Sequence, residues 1–274
     1  MNRHLQLLRL HNGIIGVIGI LASAFIAADV DVLSDFFGHW PRIVLACVIV
    51  VIFMGGGNAL NDYIDREIDT VSHPERPVPS GRIQPKHALY AGLFSLVVAV
   101  LLSLLFWDLL CISIVIVACA LMLLYELVLK QRGLVGNVTI AALTGGIFLL
   151  GGAIVGNVQG TFVLVGMAVL VNIGREITKD IEDMEGDKGR RTLPMSIGKR
   201  NAGILAAVFY LAGVALSVIP FVTGTFGTLY LTIIIPDGMF IYASYILFTD
   251  PHMSQKTAKI AMLVALVAFI LGVI

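Results

Sequence analysis

Two acidic motifs are the parts of this chain best suited to chemistry, and each stands at the end of an apolar stretch. The first lies within residues 61–69 and the second within residues 179–187. The segments 62–75 and 176–187 hold 11 of the 18 acidic residues. Carboxylates crowded beside a membrane repel each other unless a cation joins them. A divalent metal is the simplest such cation, and a diphosphate is a fitting anionic partner for it, so the motifs indicate an enzyme.

The first motif has helical spacing. If the helix of the preceding apolar stretch continues, Asn61, Asp65 and Asp69 fall at i, i+4 and i+8 and share one face, with Asp62 beside them. Mg²⁺ prefers hard oxygen ligands and is typically held by one or two carboxylates plus substrate phosphates and water. The spacing therefore predicts a row of metal ligands.

The second motif repeats the pattern with Asp183 and Asp187 at i, i+4 and with Asp180 one turn earlier. Two facing motifs could hold two Mg²⁺ ions with a diphosphate between them. Metals placed in this way neutralise charge on a leaving group as its bond breaks.

Basic residues in the neighbouring loops fit an anionic substrate. Arg76, Lys130 and Lys179 are predicted to bind phosphate, because arginine can grip phosphate oxygens in a bidentate way and lysine acts as a point charge. A role in membrane topology alone is the preferred interpretation for Arg82, Lys199 and Arg200.

Composition predicts an all-α integral membrane protein. The 274 residues are 58% hydrophobic and 13% charged, with a mean hydropathy of +0.95, whereas soluble domains carry about 25% charged residues. A spanning helix needs about 20 mostly apolar residues, and we interpret the whole chain, residues 1–274, as one membrane-embedded domain. The nine predicted spans are 13–28, 42–60, 88–107, 109–128, 138–156, 161–178, 202–220, 226–248 and 257–274.

The distribution of Lys and Arg predicts the orientation. With the N-terminus on the cytoplasmic side, the inside loops and adjoining helix ends carry 17 of the 18 basic residues and only Arg42 is left outside, as expected because cytoplasmic loops collect Lys and Arg. Both acidic motifs then lie on the cytoplasmic side of a cell membrane. A net charge of zero gives no reason to expect a nucleic-acid partner.

One acid interrupts an apolar span. Asp237 stands between Pro236 and Gly238 within the eighth predicted span. An ionisable residue at that depth is by default a candidate for function. Alternatively, Pro236 and Gly238 break the helix and Asp237 satisfies the freed backbone groups, and the sequence leaves both interpretations open.

At these motifs the chain resembles the UbiA superfamily of intramembrane prenyltransferases, over essentially its whole length. The family motif N-D-x-x-D-x-x-x-D is met by Asn61, Asp62, Asp65 and Asp69. The second motif, D-x-x-D-x-x-x-D, is met by Asp180, Asp183 and Asp187. The resemblance implies nine helices around a central cavity that opens sideways to lipid, and Mg²⁺-dependent transfer from a prenyl diphosphate donor.

The resemblance also implies residue roles. Asp65 and Asp69 are implied as catalytic residues that bind one Mg²⁺ ion together with Asn61. Asp183 and Asp187 are implied as catalytic residues that bind the other ion. Asp62 and Asp180 support these ligands. Tyr125 and Lys130 match a fourth-span Tyr and Lys placed near the diphosphate. Arg9 and Asn12 match a first-span R-x-x-N that faces the cavity. Arg76 and Lys179 complete the predicted substrate-binding set.

Within the family the chain is most similar to the archaeal ether-lipid branch, on the run from Lys179 to Asp187 and on its short N-terminus. That branch moves a geranylgeranyl group from its diphosphate to the sn-2 hydroxyl of geranylgeranylglyceryl phosphate, a lipid-phosphate acceptor, in archaeal phospholipid biosynthesis. One alternative is prenylation of an aromatic acid in quinone biosynthesis. Another, from a different class, is an ion-coupled transporter, although transporters place their ionisable groups near the bilayer midplane.

Overall fold

The computed structural model describes residues 3–28, 32–184 and 192–274, and its regular structure within those ranges is helical. The α-helices are α1 (Arg3–Leu8), α2 (Leu10–Ala27), α3 (Val32–Gly38), α4 (Trp40–Ile64), α5 (Arg66–Ser72), α6 (Pro85–Ser103), α7 (Leu109–Leu127), α8 (Leu134–Ile154), α9 (Phe162–Asp183), α10 (Leu193–Ile197), α11 (Lys199–Ser217), α12 (Ile219–Val222), α13 (Ile234–Ile246) and α14 (Pro251–Val273). Short 3₁₀ segments lie at Leu104–Phe106, Leu129–Gln131, Gln159–Thr161 and Thr228–Ile233.

Nine segments of the described chain are long and apolar enough to cross a membrane, and each overlaps one predicted span. The ends differ by a few residues where a cap fixes them. The last helix begins at Pro251 rather than at 257, because the Oδ1 atom of Asp250 accepts the backbone N–H of Met253 at 2.9 Å. An Asp cap followed by proline is a strong helix start. The prediction of an all-α polytopic membrane protein is confirmed.

The helices form two compact units. One contains Met1–Leu127 and Leu149–Val158, and the other contains Val128–Phe148 and Gln159–Ile274, so that α8 contributes to both. The first motif belongs to the first unit and the second motif to the second. The single domain over 1–274 stays a prediction.

Close helix packing in the first unit holds the helix that carries the first motif. A Cβ atom added to Gly56 on α4 would lie 2.8 Å from the Cβ of Ser95 on α6 and 3.1 Å from the carbonyl oxygen of Gly92. A Cβ atom on Gly92 would lie 2.5 Å from the Cγ of Leu60. The two glycines therefore let α4 and α6 approach closely, as small residues do between membrane helices.

The second unit is built around α9 and α11. Ile173, Ile177 and Ile181 lie on one side of α9 and are buried in the core of this unit. On the same side, a Cβ atom on Gly174 would lie 2.9 Å from the carbonyl oxygen of Ala206 on α11. This apolar side fixes the rotation of α9 about its axis, and hence the direction of its polar side.

Arg42, the single base that the topology prediction places outside, is paired. Its Nη2 atom donates to the Oδ2 atom of Asp108 at 2.9 Å. The Oδ1 atom of Asp108 accepts the backbone N–H groups of Leu110 at 2.9 Å and Cys111 at 3.2 Å. Asp108 therefore caps the start of α7 and ties it to the start of α4.

Candidate active site

The first motif lies at the junction of α4 and α5. Helix α4 ends at Ile64 and α5 begins at Arg66, with Asp65 between them at φ −84° and ψ 4°. Helical bonding continues across the junction, since the N–H of Asp65 donates to the carbonyl of Asn61 at 2.9 Å and the N–H of Asp69 donates to that of Asp65 at 2.8 Å. The side chains of Asn61, Asp65 and Asp69 therefore share a face, as their spacing predicts. The Nδ2 atom of Asn61 also donates to the Oδ2 atom of Asp65 at 3.3 Å.

The carboxylates of this motif are buried. Asp62, Asp65 and Asp69 are 0%, 7% and 3% exposed, and burial of an ionised carboxylate is costly unless a partner compensates it. The guanidinium of Arg9 contacts the Oδ1 atom of Asp62, and the Nη1 atom of Arg76 lies 2.5 Å from the Oδ2 atom of Asp69. Two arginines from neighbouring segments therefore supply the compensating charge.

A break between α1 and α2 places Arg9. Arg9 has φ 46° and ψ 59°, a left-handed conformation that is unusual for a residue with a side chain. The Nδ2 atom of Asn58 donates to the carbonyl of Leu8 at 3.1 Å, and the Nδ2 atom of Asn12 donates to the Oδ1 atom of Asn58 at 3.3 Å. Asn58 thus holds the chain at the break, and the strained residue points its guanidinium at the first motif.

The donor set of the first motif fits Mg²⁺. The Oδ2 atom of Asp62 is buried and has no hydrogen-bond partner among the described residues, and carboxylate oxygens are the hard ligands that Mg²⁺ prefers. Across residues 3–28, 32–184 and 192–274, no three or more His, Cys, Asp or Glu side chains converge as a metal cage. Mg²⁺ is typically held by one or two carboxylates and completed by phosphate and water, and the buried Oδ2 atom of Asp62 offers one such ligand.

A cavity of about 390 Å³ adjoins the two arginines of the first motif. The loop on its rim is held in place by Arg82, whose Nη1 atom donates to the Oε1 atom of Gln6 at 2.7 Å and whose Nη2 atom donates to the carbonyl of Glu75. The interpretation of Arg82 as a topology residue stays a prediction, and these two hydrogen bonds add a local structural role. The residues that line the cavity are Gln6, Arg9, Leu10, His11, Glu75, Arg76 and Pro77.

The second motif occupies the end of α9, which continues through Asp183. The Nδ2 atom of Asn137 on α8 donates to the Oδ2 atom of Asp180 at 3.1 Å. Lys179 and Asp183 are exposed on the same helix. Asp187, predicted as a metal ligand and catalytic residue, lies outside the described residues.

Glu182 of this motif is held by α14. The Nδ1 atom of His252 lies 2.7 Å from its Oε1 atom, and the Nε2 atom of Gln255 donates to its Oε2 atom at 2.8 Å. Both carboxylate oxygens therefore have partners on the start of α14. The contact fixes the end of α9 and with it the direction of the neighbouring aspartates.

A match to a protein-family model shows which family the chain belongs to. The model of the UbiA prenyltransferase family matches residues 16–271, which include both motifs and all but the outer ends of the chain. The chain belongs to the UbiA prenyltransferase family. It is a multi-pass membrane protein of that family.

Curated UbiA relatives share the sequence over nearly its full length. Digeranylgeranylglyceryl phosphate synthase of Methanosphaera stadtmanae is 38% identical, with 99% of each chain covered. The enzyme of the same name from Methanosarcina mazei is also 38% identical, with 98% of each chain covered.

Solved UbiA structures share the fold. A structure described as giving insights into digeranylgeranylglyceryl phosphate synthase in membranes matches with a TM-score of 0.80 and 33% identity, over 98% of this chain and 97% of that one. A UbiA homolog from Archaeoglobus fulgidus bound to GPP and Mg²⁺ matches with a TM-score of 0.67 over 98% of each chain. Its 15% identity limits that likeness to the fold.

Two further residues that the UbiA resemblance implicates lie at the end of the fourth span and just after it. Tyr125 lies in the last turns of α7, and Lys130 lies in the 3₁₀ segment Leu129–Gln131. Both side chains are half-buried. A Cβ atom on Gly136 would lie 2.7 Å from the carbonyl oxygen of Leu129, so the start of α8 packs closely on this segment and constrains it.

Sequence reasoning missed several polar residues that order the site of this UbiA protein. Their signal is a polar side chain that recurs at helical spacing inside an apolar span, where it is rare and usually functional. Asn58 and Asn137 act on the motifs through the hydrogen bonds given above, while Asn172 and Arg175 stand deeper in the sixth span.

Asp237 has a local partner. The interpretation that Pro236 and Gly238 break the helix is wrong, because α13 begins at Ile234 and runs through them. Proline is tolerated in a first turn, where its missing N–H has no helical acceptor. The Oγ atom of Ser217 lies 2.7 Å from the Oδ2 atom of Asp237. Asp237 therefore links α13 to the end of α11.

Proposed function

We propose that this protein transfers a geranylgeranyl group from geranylgeranyl diphosphate to the sn-2 hydroxyl of geranylgeranylglyceryl phosphate, in a Mg²⁺-dependent reaction of archaeal ether-lipid synthesis. The observation that carries the proposal is the burial of Asp62, Asp65 and Asp69 at the end of an apolar span, with arginines as their countercharge. The names of the two relatives at 38% identity support the choice of donor and acceptor.

The proposed metal ligands come from both motifs. Asn61, Asp65 and Asp69 hold one ion, and Asp183 and Asp187 hold the other, while Asp62 and Asp180 support them. Mg²⁺ bound at these residues supplies charge neutralisation for the departing diphosphate. The exposed position of Asp183 at the end of α9 suits a ligand that completes its coordination with substrate oxygens and water.

The chain's own cations bind and orient the diphosphate in this proposal. Arg76 lies at the first motif, Lys179 lies on the helix of the second motif, and Lys130 lies in the 3₁₀ segment Leu129–Gln131 that precedes α8. Tyr125, Arg9 and Asn12 complete the proposed substrate-binding set. Apolar spans around the allylic group exclude water that would otherwise quench a developing carbocation.

The proposed reaction exchanges one C–O bond for another. The bond between C1 of the geranylgeranyl group and the diphosphate oxygen breaks, and the pair of electrons leaves with the diphosphate. The sn-2 hydroxyl oxygen attacks C1 and forms an ether, and its proton passes to a base. The products are the two-chain glyceryl phosphate and diphosphate.

We also propose that the N-terminus and both motifs face the cytoplasm of the cell membrane. The support is the 17-to-1 distribution of the 18 basic residues. Cysteine labelling from either side of sealed vesicles, at Glu75→Cys for the inside and Phe37→Cys for the outside, checks this orientation. Labelling of Glu75→Cys from the outside of right-side-out vesicles would reverse it.

Two variants test the proposed motif roles. Asp65→Ala and Asp183→Ala are expected to abolish transfer and to leave the protein folded. Glu67→Ala is a matched control, because its side chain is 85% exposed although it lies between Asp65 and Asp69. Retained transfer in Asp65→Ala or in Asp183→Ala contradicts the proposed role of that motif.

The runner-up function is prenylation of an aromatic acid. The same metal-binding motifs serve both reactions, so only the acceptor separates them. Incubation of labelled geranylgeranyl diphosphate with each acceptor in turn decides between them. Ion-coupled transport is disfavoured, because both motifs stand at ends of spans rather than near the midplane.

A further inference from the structure

The polar side of α9 continues into the membrane beyond the second motif. Two rows of polar side chains, each with i, i+4 and i+8 spacing, run along this side of the helix. One row is Asn172, Glu176 and Asp180, and the other is Arg175, Lys179 and Asp183. The deepest members of both rows stand inside the sixth span, where an ionisable or amide side chain is a candidate for function by default.

A directional chain of hydrogen bonds orients Arg175. The hydroxyl of Thr144 on α8 donates to the carbonyl of Ile140 at 3.1 Å, so its oxygen accepts the Nδ2 atom of Asn172 at 2.9 Å. The Oδ1 atom of Asn172 then accepts the Nε–H of Arg175 at 3.0 Å. Each step fixes the next, because a hydroxyl has a single proton and an amide has distinct donor and acceptor ends.

Packing of the helices keeps the hydrogen-bonded series Thr144, Asn172 and Arg175 in place. Asn172 is 2% exposed, and the opposite side of α9 is locked against α11 at Gly174. The side chain of Arg175 is 21% exposed, and its Nη2 atom contacts Glu176. The hydrogen bond to Asn172 and the contact with Glu176 use two of the five N–H donors of the guanidinium. The remaining N–H donors lie in the guanidinium plane, and the hydrogen bond from Nε to Asn172 fixes the orientation of that plane.

We propose that Arg175 binds a phosphate oxyanion of a substrate, and that Asn172 and Thr144 are positioning residues that hold its guanidinium plane. This inference rests on the proposed function. The row that Arg175 shares with Lys179 and Asp183 places it one helical turn below Lys179, which is assigned to the diphosphate, and two turns below Asp183, which is assigned to the metal. A fixed planar fork recognises phosphate oxygens in a bidentate way, which a lysine in its place does not do.

The phosphate comes either from the prenyl diphosphate or from the lipid-phosphate acceptor, and kinetics separate the two sources. The KM of each substrate is measured with the other at saturation for Arg175→Gln, for Arg175→Lys and for the matched control Arg200→Gln, whose side chain is exposed at the start of α11. Arg175→Gln is expected to raise one of the two KM values by about tenfold or more, as the loss of a hydrogen bond to a charged group does. Arg200→Gln is expected to match the wild type.

A binding measurement gives a readout without turnover. Equilibrium dialysis of labelled geranylgeranyl diphosphate with Mg²⁺, in the absence of acceptor, is expected to show weaker binding to Arg175→Gln when the diphosphate is the ligand. Unchanged binding of the donor together with a raised KM for the acceptor assigns the acceptor phosphate. Unchanged binding and unchanged KM values overturn the inference. Where Arg175→Gln does not fold, Arg175→Lys carries the same test, since it keeps the charge and lacks the Nε donor.

A double-mutant cycle tests the positioning role. Asn172→Ala is expected to raise the same KM as Arg175→Gln, and to add little in the Arg175→Gln background, because it acts through that side chain. Thr144→Val, which keeps the shape and removes the hydroxyl, is expected to raise that KM less. Equal effects of Asn172→Ala with and without Arg175 would show a merely structural role.

Asp183→Ala distinguishes failure of this inference from failure of the proposed function. If Asp183→Ala retains transfer, the proposed metal role fails. If Asp183→Ala is inactive while Arg175→Gln keeps normal KM values and normal donor binding, the inference about Arg175 fails and the proposed function stands.

Discussion

Replacement of Arg76 by glutamine is expected to destabilise the protein through Asp69. The carboxylate side chain of Asp69 is 4% exposed and that of Arg76 is 23% exposed, with 2.5 Å between them. Loss of one partner of a buried ion pair costs about 3–5 kcal/mol. Since the arginine is partly exposed, we expect the lower end, about 3 kcal/mol, which at about 2 °C per kcal/mol lowers the melting temperature by about 6 °C.

A double-mutant cycle in detergent measures this pair directly. Asp69→Asn removes the buried charge, so the combination with Arg76→Gln is expected to cost less than the sum of the single changes. Because a bound cation stabilises the folded state, Mg²⁺ with diphosphate is expected to restore part of the stability of Arg76→Gln. Glu67→Gln, a change at an 85% exposed side chain, is the control and is expected to leave the melting temperature unchanged. Additive single changes, or no loss in Arg76→Gln, would refute the reasoning.

Three further predictions concern other parts of the structure. Asn58→Leu releases the backbone at the break beside Arg9 and is expected to lower kcat/KM and to cost about 1 kcal/mol of stability, measured by kinetics and thermal unfolding. Burial raises the pKa of Asp108, but hydrogen bonds from backbone amides and from Arg42 outweigh it and hold that pKa below its usual 3.8. The stability that Asp108 contributes is therefore present above pH 3.8 and lost as the pH falls through the lowered pKa, so melting temperatures should converge with those of Asp108→Asn in acid. Asp237→Asn is expected to keep full transfer activity, because an amide can reproduce its hydrogen bond.

Each of these has a contradicting outcome. Wild-type kinetics in Asn58→Leu would show that the break does not position Arg9. A constant difference in melting temperature between wild type and Asp108→Asn at all pH values would remove the pair with Arg42 as its cause. Loss of transfer in a stably folded Asp237→Asn would assign Asp237 a part in the reaction.

Local patterns in the sequence predict much of the fold. Apolar runs of spanning length predict the nine membrane segments found in the described part of the chain, and i, i+4 spacing predicts the shared face of Asn61, Asp65 and Asp69. Ends of helices are less predictable, because a cap such as Asp250 is a single side chain that competes with hydropathy over several residues. The course of α13 through Pro236 also follows from where the helix begins, which hydropathy does not fix.

The sequence does not predict which side chains pair when they lie far apart along the chain. Arg9 and Asp62 are 53 positions apart, and Asn137 and Asp180 are 43 apart. No helical period connects positions at such separations, and the contact arises only when two helices pack at a particular rotation. The left-handed conformation of Arg9 is also not predicted by the sequence, since the hydrogen bond beside it joins Leu8 to Asn58, 50 positions away.

The most direct test of the proposed function is a product assay with purified protein in detergent or lipid. The protein is given labelled geranylgeranyl diphosphate and geranylgeranylglyceryl phosphate with Mg²⁺, and with EDTA as the control. We predict a two-chain ether lipid that forms only when Mg²⁺ is present. Absence of this product, with transfer to an aromatic acid instead, would contradict the proposed acceptor, and an equal yield with EDTA would contradict the proposed role of the metal.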